Sequence, residues 1–165
     1  MNNVSTTLLK MTREFEVKPE RVFDAWSNPE MMKKWLFTLE RTNKVAQNDL
    51  RVGGDWEIVD HREGTDYRAI GEYIEIDPPG KLIFTFKMPQ FSELEDTITV
   101  EIKESSPGCE MTFSQLIHVA PEENWTKADL EKALGEYYDG SEQGWNLMFM
   151  GLKELVETGD ISYKG

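Results

Sequence analysis

Arg13, Asp60 and Gln115 are the polar side chains with the most chemistry to offer, because each falls in phase with hydrophobic neighbours on an alternating segment. A charge or amide carried into an apolar interior is costly unless protein, water or ligand pairs with it. Arg13 and Gln115 so placed could polarise the carbonyl of a bound molecule. The alternative for Arg13 is a nearby carboxylate, or snorkelling at a strand end; Asp60 sits beside a turn and is expected to be exposed. His61, His118 and Cys109 lie far apart without ligand spacing, so no metal and no cofactor is expected. No Gly-x-Ser-x-Gly elbow occurs, and His118 falls on the polar side of its strand, where it reads as a surface histidine. Gly53-Gly54 precedes a strand rather than the helix that would hold a phosphate. No residue is nominated as catalytic.

These residues are positioned by a succession of short elements. Leu9, Met11, Phe15 and Val17 alternate with Lys10, Thr12, Glu14 and Glu16, the pattern of a strand whose dry face also carries Arg13. Pro19 opens a helix striped with Val22, Phe23 and Trp26. Asn28-Pro29 reads as the cap and first turn of a second helix carrying Met31, Met32, Trp35 and Leu36. A polar connection through Asn43 and Asn48 is expected next. Strand signals then recur between turn residues: 56–60, 67–76, 82–88, the alternating Ile98, Val100 and Ile102, and a last run with Cys109, Met111, Phe113, Gln115, Ile117 and Val119 on one side. The short links imply antiparallel pairing.

Residues 126–138 read as a helix weakened by Gly135. Residues 141–158 read as a stronger one, with Trp145, Met148, Phe149, Leu152, Leu155 and Val156 on one face. Only the inner face of the meander offers that helix enough apolar surface. The expected fold is therefore α+β, a single domain over residues 1–165 in which a curved antiparallel sheet grips a long C-terminal helix. Trp35, Trp56, Tyr67, Phe84, Phe86, Phe113, Trp145, Met148, Phe149 and Leu152 would then converge between sheet and helix, as a filled core or as the lining of a pocket. Periodicity does not separate the two. With Arg13 and Gln115 they form the candidate ligand-binding set.

Composition narrows the partners. Thirty-one acidic against 18 basic residues leave a net charge of -13, which repels nucleic-acid phosphates and anionic lipid headgroups. No nucleic acid and no membrane insertion are expected. The chain has 165 residues, 39% of them hydrophobic, which suits one folded domain. The single cysteine excludes an internal disulfide. Without a leader pattern at the start, or a run of about 18 apolar residues, the expected location is cytoplasmic.

Thr12-Arg13-Glu14-Phe15, Val17-Lys18-Pro19-Glu20-Arg21-Val22-Phe23-Asp24-Ala25-Trp26 and Asn28-Pro29-Glu30 up to Trp35 resemble the opening of the activator of heat-shock-protein-90 ATPase homologue family. Asp49-Leu50-Arg51-Val52-Gly53-Gly54-Asp55-Trp56, the segment from Gly71 to Pro78, Lys81-Leu82-Ile83-Phe84-Thr85-Phe86, and Gly144-Trp145 with Leu152 resemble its later signatures in order. The resemblance implies the START-like, helix-grip fold (SRPBCC) with a hydrophobic cavity between sheet and long helix. It leaves the function open; the aromatic set, with no nucleophile, metal or phosphate motif beside it, favours a hydrophobic small molecule, lipid or aromatic, as partner, and a homodimer is plausible for the family. Two alternatives stay open: a cyclase-like enzyme using Arg13 and Gln115, and a protein-binding domain like the chaperone-ATPase activator, whose additional N-terminal domain this chain is expected to lack. Val17, where many relatives carry alanine, and the exit Ala120-Pro121-Glu122-Glu123-Asn124-Trp125 depart from the family pattern, so the cavity rim is expected to differ there.

Overall fold

Alternation becomes strand and apolar stripe becomes helix in the computed structural model, which describes residues 4–159. The elements run β1 (Ser5–Phe15), α1 (Pro19–Ser27), α2 (Pro29–Trp35), β2 (Asn43–Asn48), β3 (Asp55–Arg62), β4 (Thr65–Asp77), β5 (Lys81–Phe86), β6 (Asp96–Ser105), β7 (Gly108–Val119) and α3 (Lys127–Thr158). One antiparallel sheet contains the seven strands in the order β1-β7-β6-β5-β4-β3-β2. This is the helix-grip arrangement that the resemblance implied.

Directly paired residues share a face, so register decides what the helices see. Leu9 pairs with Gln115, Met11 with Phe113 and Arg13 with Met111; across β7, Ile98 faces Gln115, Val100 faces Phe113 and Ile102 faces Met111. All but Arg13 are buried. Two carbonyls of the edge strand β1 are taken by side chains: Thr12 accepts from Arg13 at 2.8 Å and Glu14 from Lys153 at 3.0 Å. Such occupation blunts an edge against strand addition.

Two expectations need correction. The segment 43–48 is a strand, β2, not a polar connection; it pairs with β3 alone and shifts register between Asn43 and Val45. An edge strand with one partner and a half-exposed surface has no reason to alternate cleanly. The two expected C-terminal helices are one, the 32-residue α3. Thr126 starts it with a capping box, accepting from the Asp129 N–H while the Asp129 carboxylate accepts from the Thr126 N–H. Gly159, left-handed at φ 93°, ends it.

Gly135 and Gly140 are therefore interior helix residues, and a Cβ at Gly140 would meet nothing within 4 Å. Gly140→Ala is expected to stabilise the protein by about 0.5–1 kcal/mol, because alanine loses less backbone entropy in a helix. Thermal unfolding followed by circular dichroism measures this; an unchanged or lower midpoint would mean that the helix breaks at Gly140.

Candidate functional site

The space between sheet and helices is occupied by aromatic rings. Trp26 of α1 lies at the centre, its ring centroid 4.7 Å from Trp35, 5.9 Å from Phe84 and Trp145, and 6.2 Å from Phe113 and Phe149. Phe113 and Trp145 approach to 4.5 Å. Each of the four central indole N–H groups has an acceptor, as buried tryptophans require. Trp26 donates to the Met111 sulfur, Trp35 to the Ala25 carbonyl at 2.9 Å, Trp56 to the Thr85 carbonyl at 3.0 Å, and Trp145 to Gln115 Oε1 at 2.8 Å. Trp35, Trp56, Phe84, Phe113, Trp145, Phe149 and Leu152 are all buried here. In this central part, ring packs on ring.

Packing loosens toward Phe86 and Met148, which are only partly buried. Phe37 fills the difference. It lies between α2 and β2 with φ 59°, a left-handed conformation that costs a non-glycine residue about 1–3 kcal/mol. Its ring stacks on Phe86 at 4.6 Å and 10° and meets Trp145 edge-on at 5.1 Å. Trp56 lies 6.3 Å away, at 11° to the Phe37 plane. The Phe37 backbone N–H points at the Met148 sulfur, 3.2 Å away. A strained loop residue thus occupies a flat-walled slot whose other sides belong to β3, β5 and α3. Sequence reasoning missed Phe37, since a loop residue belongs to no periodic stripe.

The polar candidates are distributed differently from expectation. Gln115 is buried with both ends of its amide engaged: Oε1 accepts from Trp145, and Nε2 donates to Asp96 Oδ2 at 2.7 Å. Asp96 also accepts from the His118 backbone at 2.9 Å. Arg13 is half-buried and reaches α3, donating to Asn146 Oδ1 at 2.9 Å, with its guanidinium carbon 5.7 Å from the Phe149 ring centroid. Its distal partner is an amide, not a carboxylate. Asp60, expected to be exposed, is 3% exposed. Thr38 donates to it at 2.8 Å, Thr42 donates to the same oxygen, and Arg62 pairs with the other at 2.7 Å. The covering hydroxyls come from a separate segment, so the turn beside Asp60 gave no hint of them. His118 is half-buried rather than on the surface, its Nδ1 3.5 Å from Asp96 Oδ1.

Tyr67 stands apart from the ring cluster. It packs with Phe91 at 6.3 Å and under Arg62, whose guanidinium carbon is 4.3 Å from its ring centroid. Tyr73, nearer the core, accepts from Asn48 at 3.0 Å; burial pushes its phenol up to about 12 despite that bond. Burial, aided by the charge of Glu20, also raises the Cys109 thiol. A buried thiol so raised is a poor nucleophile. Among the described residues no group of three or more His, Cys, Asp or Glu side chains could hold a metal, and no helix is long and apolar enough to cross a membrane. On the sheet face turned away from the helices lies an open groove of roughly 630 Å³, lined by residues that include Gln47, Glu57, Arg68, Glu72 and Lys87.

The family described as "Activator of Hsp90 ATPase homolog 1-like protein" matches residues 16–157. The chain belongs to this family. Its helix-grip architecture recurs in SA2116 from Staphylococcus aureus, a protein of unknown function, with TM-score 0.87, 29% identity, and 94% of this chain and 96% of that one covered. NE0264 from Nitrosomonas europaea shares the fold at TM-score 0.72 and 22% identity, over 93% of this chain and 96% of that one. Mll3558 from Rhizobium loti does so at 0.71 and 21%, over 92% and 97%. No curated protein matches the chain. Within this activator-homologue chain, Gly71 and Trp145 of the recognised motifs lie at the slot's margin: Gly71 under the Trp56 indole, and Trp145 against Phe37.

Proposed function

We propose that this activator-homologue protein binds a hydrophobic, ring-bearing small molecule between sheet and α3, and that Phe37 holds the place of the ligand's ring. The reading is carried by one observation: a phenylalanine with φ 59° lies stacked 4.6 Å from Phe86 and edge-on to Trp145. A side chain supplied from a strained loop can leave, whereas the strand and helix residues around it are fixed by their own elements. Flat aromatic walls favour an offset-stacked ring over a flexible chain. Arg13 and Gln115 support this environment by holding α3 and Trp145; binding requires no chemistry from them.

Phe37 competes with any ligand for the slot. Phe37 is partly buried, so its ring contributes less than the roughly 1.5–3 kcal/mol of full burial; deleting it should strengthen binding of a slot-sized guest by up to about tenfold, since about 1.4 kcal/mol corresponds to tenfold. Fluorescence titration of wild type and Phe37→Ala with the neutral probe N-phenylnaphthylamine tests this. Tighter, saturable binding to the variant is the expected result. If neither protein binds saturably to that probe or to a panel of lipids and polycyclic aromatics, the ligand-binding reading is wrong.

A further inference from the structure

The Phe37 loop is held by a single buried carboxylate. Asp60 Oδ1 accepts from Thr38, the residue directly after Phe37, and also from Thr42 at the far end of the same loop. Between them the loop folds on itself: the Leu39 carbonyl accepts from the backbone N–H of Thr42 at 3.1 Å and of Asn43 at 2.9 Å. The Thr42 carbonyl accepts from the His61 N–H at 2.9 Å, which fastens the loop to β3 beside Asp60. Arg62 occupies Asp60 Oδ2 and is itself half-exposed. A buried carboxylate demands such donors. The demand fixes both ends of the segment that presents Phe37.

We infer that Asp60, through Thr38 and Thr42, is a latch that keeps Phe37 in the slot, and that release of this latch admits the ligand; the inference rests on the slot reading above. Two tendencies oppose each other in the closed loop. The hydroxyl bonds to Asp60 and the ring stacking hold it shut, while the left-handed backbone of Phe37 favours release. An element with such opposed terms has two accessible states, and a ligand that binds only the open one shifts the balance. Asp60 positions Phe37 and touches no ligand.

The test replaces both hydroxyls by methyl groups of similar size, Thr38→Val with Thr42→Val, and uses Thr38→Ser with Thr42→Ser as the control that keeps the donors. Asp60→Asn, which can still accept both bonds but carries no charge, serves as a milder variant. In ligand-free protein, hydrogen exchange at the Thr42 and Asn43 amides should accelerate at least about tenfold in the valine variant, since even one hydrogen bond to a charged group accounts for that factor. Exchange in β6 and β7 should not change. Affinity for N-phenylnaphthylamine should rise as well, and adding Phe37→Ala to the valine variant should raise it by less than Phe37→Ala does in the wild-type background. The serine control should match wild type, and Asp60→Asn should fall between. Unchanged loop exchange overturns the latch. So does faster exchange with unchanged probe affinity, provided Phe37→Ala alone binds more tightly, and in that case the slot reading stands. Absence of saturable binding in every variant, Phe37→Ala included, overturns the slot reading and the gating role together.

Discussion

Gln115→Leu is expected to lower the stability of the fold by about 2–4 kcal/mol, with little change in packed volume. Leucine leaves the buried Trp145 N–H without its acceptor at 2.8 Å and frees Asp96 Oδ2 from its donor at 2.7 Å. A buried donor left unsatisfied costs about 1–3 kcal/mol, and a bond to a charged group is worth about 1.5–3 kcal/mol. Asp96 recovers part of its loss from solvent, which sets the total below the sum. Gln115→Glu sharpens the test, because it places a second carboxyl beside Asp96 in a position that is 2% exposed. Burial and the neighbouring charge both raise the pKa of such an acid in the folded state. The sign follows: the variant's stability is greatest below the unfolded carboxyl value of about 4.3 and is lost as pH rises toward the raised folded value. Urea unfolding at mildly acidic and neutral pH measures both variants. Gln115→Leu within about 0.5 kcal/mol of wild type would show that Trp145 and Asp96 do not depend on the amide between them.

That amide illustrates what a period can and cannot say. Its phase placed Gln115 on the inner face, and the phases of Leu9, Met11, Phe113 and Phe149 were equally legible, because alternation in a strand and a stripe in a helix are direct imprints of burial. Phase gives a face without giving a place along it. Tyr67 is in register opposite Asp60 on the inner face, yet it packs against Phe91 and Arg62, away from the rings around Trp26. The slot itself was illegible, since its filling residue, Phe37, and the hydroxyls that cover Asp60 come from a loop with no periodic signature. Trp26 was visible as part of a stripe, but its place at the centre of the cluster depends on how α1 crosses the sheet. The edge strand β2 was hidden by its half-exposed surface, and α3 looked divided because Gly135, Gly140 and Gly144 weaken helical propensity without stopping the helix. The exit after β7 returns Trp125 to the margin of the core.

Gly71→Ala should be among the most damaging single methyls at the described residues, costing more than about 4 kcal/mol or preventing folding altogether. A Cβ at Gly71 would lie 1.7 Å from the Thr85 carbonyl oxygen, 2.6 Å from its carbon and 2.5 Å from Trp56 Nε1. The indole crosses Gly71 on β4 to reach the Thr85 carbonyl on β5, and the β4–β5 register shifts between Tyr73 and Glu75 nearby. Rotating a side chain therefore does not relieve the clash, since the nearest atom is backbone and two strands would have to separate. Trp56→Phe in the Gly71→Ala background decides between the two contacts. If the indole were the obstacle, the smaller ring would restore folding; with the carbonyl as the obstacle, the double variant stays as unstable as Gly71→Ala. Gly80→Ala is the matched control, because its nearest contact, 3.5 Å, is ordinary van der Waals distance, and its effect should stay within about 1 kcal/mol. Solubility and urea unfolding of the variants supply the measurement, and a Gly71→Ala protein as stable as the control would refute the crossing. Since the same crossing fixes the Trp56 plane parallel to Phe37, the absence of one side chain on β4 sets a wall of the slot on the neighbouring strand β3.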